Sequence, residues 1–431
     1  MIAWLRKRYY WVIVAVMMLV FCAYGGLANN NSSIYIIPVT KDLGISRADF
    51  SLAISVRSMA LFVFMSFSSL AFQRFGVKKP ILVGLGLMMI AYALLAVSNT
   101  VLSMALVCSL LGIGEAFCGG TAGSRIAGNW FHRARGTVFG IISSCTGLGG
   151  AILSVVLSTS IENHGWRYSR LLSAVILLIT LIITGILLRD KPSDIGLPPF
   201  GEGYVPKQKK HHNEDAHWMG PTFKELRKRP TFYIAILVFF LSGVTTYSAF
   251  SNIAPHLQDQ GLSASDAAFQ NSLMLIYLAV FKILCGVLSD VIGPKWVCGI
   301  CMSFIAVGLL LLPGVNTIAE AAAAIFIYSI GVPMVLVMIP LVSYALFGYQ
   351  SHNETLGIFL ALPYLGSLVI VPIANAIYDR TGSYALIFRI CAVLSFVVLL
   401  LLLVLYALAG KDQKKMTQNN HQTSCSDEMI K

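Results

Sequence analysis

The chain has 431 residues, 57% of them hydrophobic and only 12% charged, with a formal net charge of +12. Soluble globular domains carry about 25% charged residues, so an ordinary soluble fold is excluded. The basic excess does not point to nucleic acid either, because it is divided by membrane side rather than gathered in one patch.

The chain opens with "RKR", Arg6–Arg8, followed by an apolar run that continues to Pro38. No small-x-small cleavage site interrupts it, so it reads as a first membrane span rather than a signal peptide. Apolar runs and turn signals give twelve spans, near 9–37, 48–73, 80–98, 101–128, 136–161, 166–189, 231–256, 266–289, 296–314, 318–347, 355–378 and 384–410. Each is near the roughly 20 residues that cross a bilayer, and in lipid such spans must be helical to satisfy their own amides. The fold expected is therefore an all-α integral membrane protein with twelve transmembrane helices. With the N-terminus inside, the cytoplasmic segments hold 22 of the 31 Lys and Arg, whereas Lys41, Arg47, Arg167, Arg170 and Arg380 are the only ones in outer loops. That asymmetry puts both termini in the cytoplasm, and the location expected is the inner, or plasma, membrane. "CGIC", Cys298–Cys301, has redox spacing but lies in an apolar helix, where the Cys read as buried small residues. The "HHNEDAH" run, His211–His217, reads as solvated loop. No metal or other cofactor is expected.

A constant offset of 217 residues superposes the two halves. Gly26 meets Gly243, Pro38 meets Pro255, "GISRAD" (Gly44–Asp49) meets "GLSASD" (Gly261–Asp266), and Gly114, Gly140, Gly149 and Gly165 meet Gly331, Gly357, Gly366 and Gly382. Such repetition means a duplicated architecture. Two parallel six-helix halves follow, spanning 1–189 and 231–410, with a cytoplasmic linker at 190–230 and a tail at 411–431. Parallel halves around a central site are built for alternating access. One phrase recurs with a change: "GVLSDVIGPKW" (Gly286–Trp296) stands opposite "SLAFQRFGVKK" (Ser69–Lys79). Gly293 and Lys295 match Gly76 and Lys78, but Gly286 becomes Ser69 and Asp290 becomes Gln73.

"GVLSDVIGPK" resembles the loop signature of the major facilitator superfamily, and the resemblance covers about residues 10 to 410. "NWFHRARGTVFGIISSCTGLGG" (Asn129–Gly150), with "GWRYS" and "DKPSDIGLPP", is similar to the branch of oxalate:formate antiporters and monocarboxylate transporters. The resemblance implies two pseudo-symmetric six-helix bundles, and a latch in which Asp290 meets the start of the fifth helix. There Arg133, Arg135 and the positive helix end favour an anion. Gln73 would face the start of the eleventh helix, where Glu354 stands. An Asp there would meet a like charge, which Gln73 and the neighbouring Arg74 avoid. The gating set is therefore Asp290, Gly286, Gly293, Lys295, Arg133, Arg135, Gln73, Arg74 and Glu354.

Ionisable residues inside a membrane mark functional sites. Arg57 lies about 13 Å into the second span and Lys282 about 12 Å from the inner end of the eighth, so both reach the midplane, one per half. Asn271, Lys282 and Ser289 share a helical face. Arg57, Lys282 and Asn271 are the substrate-binding candidates. Glu115, halfway along the fourth span, either neutralises Arg57 or carries a coupling proton. By resemblance, Lys282 holds the place of an Arg that binds the substrate carboxylate in monocarboxylate and oxalate carriers. No charge lies between Thr355 and Tyr378, where oxalate carriers have a second cation.

The reading is a monomeric secondary carrier of a small organic anion, coupled to protons or working by exchange, and partnered by the lipid bilayer and no nucleic acid. The alternative is an exporter of larger amphipathic or drug-like compounds. Its relatives carry a Gly-Pro phrase in the fifth helix, where this chain has "CTGLGG", Cys145–Gly150. No HExxH, P-loop or GxSxG phrase points to an enzyme.

Overall fold

The computed structural model describes residues 2–201 and 220–428; the His211–His217 run and the middle of the linker lie outside them. Among the described residues, eleven helices are long and apolar enough to cross a membrane. One of them, Arg135–Leu187, has 53 residues, or about 80 Å at 1.5 Å per residue, far beyond a hydrocarbon core of about 30 Å. It turns back at Gly165, whose φ of 84° an L side chain rarely adopts. That helix is two crossings, so the total is twelve.

The crossings are α1 (Ile2–Ala23, prolonged by a π-helical turn, Tyr24–Asn29), α2 (Arg47–Phe75), α3 (Lys78–Val97), α4 (Val101–Trp130), α5 (135–164) and α6 (166–187). The second half supplies α7 (Pro230–Phe250), α8 (Ala264–Ile292), α9 (Pro294–Leu311), α10 (Ile318–Gly331, resumed at 338–347), α11 (349–381, its membrane span Glu354–Thr381) and α12 (Ala385–Glu428, its span ending at Gln413). Two expected spans are shorter than their apolar runs. The first stops at Asn29 and the seventh at Phe250, and each is followed by a short separate helix, Ile36–Leu43 or Ile253–Asp259. Pro38 and Pro255 sit in the first turns of these short helices, where a missing N–H costs nothing.

The repeat is written into the helix ends. Ser46 and Asp49 cap α2 reciprocally, and their counterparts Ser263 and Asp266 meet at the start of α8. Thr100 with Ser103 and Thr317 with Glu320 do the same for α4 and α10. These caps satisfy amides that a helix start leaves unpaired. The matched glycines mark matched helix contacts: a Cβ on Gly26 would lie 2.7 Å from the Gly149 backbone, and one on Gly243 2.3 Å from Pro363 Cα. Two seams join the halves, α5 against α8 and α2 against α11.

The described ends of the linker are each tied to their own half. In the first half, the Asp190 carboxylate accepts from the Val77 and Lys78 amides at the start of α3, at 2.8 and 2.5 Å, and Trp130 Nε1 donates to Arg189 O at 3.1 Å. In the second, Ser351 donates to Pro221 O, and Arg229 pairs with Asp412 at 3.6 Å. Cys298 and Cys301 are fully buried in α9, with Cys301 Sγ 3.7 Å from Cys285 Sγ. No cluster of metal-ligating side chains occurs among the described residues.

Candidate functional site

A cavity of about 680 Å³, counting the part open to solvent, lies between the halves and is lined by α1, α2, α4, α5, α7, α8, α10 and α11. Three of these helices are irregular at its wall. The π-helical turn of α1 contributes Tyr24, a break at Gly119 in α4 precedes Gly120, and the 3-10 turn Val332–Val335 in α10 contributes both its end residues. Irregular backbone is tolerated at membrane depth only where protein or a cavity meets its polar groups. Here Asn31 Nδ2 donates to Gly26 O at 2.7 Å and Arg57 donates to Ala28 O.

Lys282 is the one charged side chain among the described residues that line the cavity, and it is only 4% exposed. Its Nζ donates to Thr146 Oγ1 at 2.7 Å and to Ser143 O at 3.4 Å. Asn30 Nδ2 donates to Thr146 O at 2.8 Å, which adds an amide to the same wall. An ammonium has three donors, so one is left to point at a ligand. Across the cavity stand Met65, Leu360, Pro363 and the rings of Tyr24, Tyr247 and Tyr364.

Arg57 does not face Lys282. It is buried against α4, where its Nη1 lies 3.3 Å from Glu115 Oε1, and it also reaches Ser32 Oγ at 3.4 Å. Neither Glu115 oxygen accepts a hydrogen bond from a described residue, so the guanidinium is its charge partner and little else solvates it. Arg57, Glu115 and Asn271 are absent from the described cavity lining; Asn271 is half-buried on α8. Arg170, expected in an outer loop, is buried, its guanidinium 3.4 Å from the Tyr35 ring centroid.

At the linker end the halves are latched. Asp290, in the last turn of α8, accepts from the Gly136 amide at 2.9 Å, and from the Thr137 amide and hydroxyl at 2.7 Å each. The helix-end amides of α5 hold it, as a carboxylate at a helix N-terminus should be held. Arg135 turns elsewhere. Its guanidinium covers the Tyr344 ring at 4.2 Å and donates to His352 Nε2 at 3.4 Å. Arg133 lies against the linker, its amide 3.4 Å from Phe200 O.

Gly286 allows the contact, since a Cβ there would lie 2.3 Å from Gly136 O. Gly293, with φ 87°, makes the turn into α9, and the exposed Lys295 lies over Trp296 at 5.5 Å. In the other seam, the Gly357 amide donates to Ser69 Oγ at 2.8 Å. Gln73 and Arg74 are exposed, and Arg74 covers Phe75 at 5.5 Å. Glu354 was expected to oppose Gln73. Instead it accepts from the Phe223 amide at 2.8 Å, capping the linker helix Phe223–Leu226.

Sequence reasoning passed over Met65, Thr146, Asn30, His352 and the three tyrosines. For two of these the offset itself was the signal: His352 is the counterpart of Arg135, which it touches, and Met65 is the counterpart of Lys282.

Comparison with known proteins agrees with this architecture. A family profile described as Major Facilitator Superfamily matches residues 16–280 and 246–424. The chain is 27% identical over 334 residues to monocarboxylate transporter 12-B of Danio rerio, covering 71% of this chain and 68% of that one. The matched part spans only 58% of the Homo sapiens monocarboxylate transporter 12, with 24% identity over 65% of this chain. Among solved structures, the E. coli fucose:proton symporter FucP superposes with a TM-score of 0.66 at 15% identity, covering 92% of this chain and 99% of that one.

Proposed function

The chain belongs to the major facilitator superfamily, and from that premise we propose that it carries a small organic anion across the plasma membrane by alternating access. Both termini and the linker lie on the cytoplasmic side in this reading, and a single copy of the chain is the working unit. One observation carries the substrate class: a lone ammonium, Lys282, faces a cavity between the two halves with one donor left over. A carboxylate is the simplest group to take that donor, and placing it there relieves a charge held out of water.

Coupling falls to Glu115. A proton on this buried carboxylate would release Arg57 from its pair and so loosen the end of α1 that Arg57 stitches through Ala28 O. Glu115→Gln would then abolish accumulation driven by a pH gradient while sparing exchange of substrate for substrate. Lys282 gives the sharper test. In proteoliposomes Lys282→Gln should lower carboxylate transport at least ~30-fold, the lower bound for losing one partner of a desolvated charge pair, about 2–5 kcal/mol. Lys282→Arg should keep most of it. The largely apolar cavity wall also suits an exporter of amphipathic compounds, and wild-type transport by Lys282→Gln would favour that reading.

A further inference from the structure

The two ends of the cavity are related by the repeat, yet they carry opposite chemistry. Helices α2 and α8 are equivalent, 29 residues each, and Met65 holds the position of Lys282. Both side chains line the cavity. Both residues also sit at the same backbone contact: a Cβ on Gly140 would lie 2.6 Å from Lys282 O, and one on Gly357 2.5 Å from Met65 O. Lys282 stands among Asn30, Ser143 and Thr146, and the same offset carries those three onto Tyr247, Leu360 and Pro363. The Thr146 hydroxyl and the Asn30 amide at the Lys282 end are thus answered by Pro363 and the Tyr247 ring at the Met65 end. The Tyr247 and Tyr364 rings stand 6.2 Å apart there, and Phe250 meets Tyr247 edge-on at 5.9 Å.

We propose that the cavity is a two-ended site for a monocarboxylate with an apolar, ring-bearing body, its carboxylate on Lys282 and its body against Met65, Leu360 and Tyr247. This rests on the organic-anion reading above and specifies its substrate class. A dicarboxylate would set its second charge against a thioether, an alkyl chain and at most a neutral tyrosine hydroxyl, with no cation to repay its lost hydration. The several hydroxyls of a sugar acid would outnumber the tyrosine hydroxyls on the same wall, and a small hydroxy acid would leave the apolar lining uncovered. An apolar body gains in proportion to the area it buries, and a flexible, polarisable Met beside aromatic rings adapts to its shape. One ammonium donor also matches one carboxylate oxygen, whereas a guanidinium would present a two-pronged fork.

The test is calorimetric binding to the full chain in lipid nanodiscs with five probes: 3-phenylpropionate, lactate, succinate, galacturonate and the neutral 3-phenylpropionamide. The expected result is 3-phenylpropionate binding at least tenfold more tightly than each of the other four. Met65→Gln should shrink its advantage over lactate at least fivefold, and Met65→Lys, which copies the cation to the other end, should bring succinate up at least tenfold relative to 3-phenylpropionate. Should either variant fail to fold, the wild-type ranking decides alone. Lactate, succinate or galacturonate matching or surpassing 3-phenylpropionate overturns the two-ended site but leaves the anion reading standing. The amide matching the acid overturns both. Folded protein that binds none of the five also overturns the proposal.

Discussion

The two seams between the halves come from one ancestral contact, written twice, and they now hold by different means. In the α5–α8 seam a glycine, Gly286, lets the backbones touch, and a carboxylate, Asp290, seals the end on two amides and a hydroxyl. In the α2–α11 seam the matching positions are Ser69 and Gln73, and the hydroxyl of Ser69 takes one amide, that of Gly357. The residue matching Thr137, which receives Asp290, is Glu354, and the linker has claimed it through the Phe223 amide. One seam thus closes by a charge against a helix end, and in the other a neutral hydroxyl takes a single amide.

Steric substitution should separate the seams most strongly. Gly286→Leu drives a side chain into Gly136 O and should cut transport at least ~100-fold without loss of folded protein, about 2.7 kcal/mol or more against closure. Ser69→Ala removes one hydrogen bond, about 0.5–1.5 kcal/mol, and should cost about tenfold at most. Equal losses from the two would mean that the seams are not specialised.

Removing the latch comes next. Asp290→Ala loses a helix cap worth about 0.5–2 kcal/mol, so spin-label distances across the linker end should show the open population rising by up to ~30-fold. Ligand affinity should change less than about twofold. A large affinity loss with unchanged distances would make Asp290 a binding residue instead.

The smallest effect is a pH response. His352 lies between the apolar stretches Met338–Gly348 and Glu354–Thr381, fully buried beside Tyr344, Arg135 and Arg125. Burial, with the two guanidinium charges adding to it, holds its imidazole well below its usual range, so it is neutral while the linker end is closed. Opening would return it toward about 6.5, which means the open form binds the proton. Closure should therefore be undisturbed above about pH 7 and weaken as the linker side is acidified below about 6.5, by linkage. His352→Asn should remove that dependence and leave the Asp290 contrast intact; an unchanged pH profile would assign the response to another group.

Much of this was legible in the sequence. Twelve crossings and the 217-residue repeat follow from patterns that local physics enforces, apolar length and glycine turns, whereas the docking of Asp290 was implied by the resemblance of its loop to the superfamily signature. Arg57 was misjudged for a physical reason. Depth along a helix was counted but angle around it was not. Arg57 precedes Met65 by eight residues, which places it about 12 Å farther along α2 and about 80° round it. That rotation turns it from the cavity toward Glu115. The partner of Glu354 was not foreseen, because the Phe223 amide comes from the linker, whose docking no periodicity announces.

The matched contacts of Gly140 with Lys282 O and Gly357 with Met65 O are equivalent points of the two seams by the repeat, and a line through them would serve as an axle. When two rigid bodies rock about such a line, displacement grows with distance from it. Asp290 is eight residues beyond Lys282, about 12 Å along the lever, so about 10° of rocking would part it from its amides by about 2 Å, enough to break hydrogen bonds. At the axle itself the same rotation moves almost nothing. If Lys282 and Met65 grip the cargo as proposed, they would also be the bearing on which the halves turn, and the cargo would stay at the still point while the doors swing.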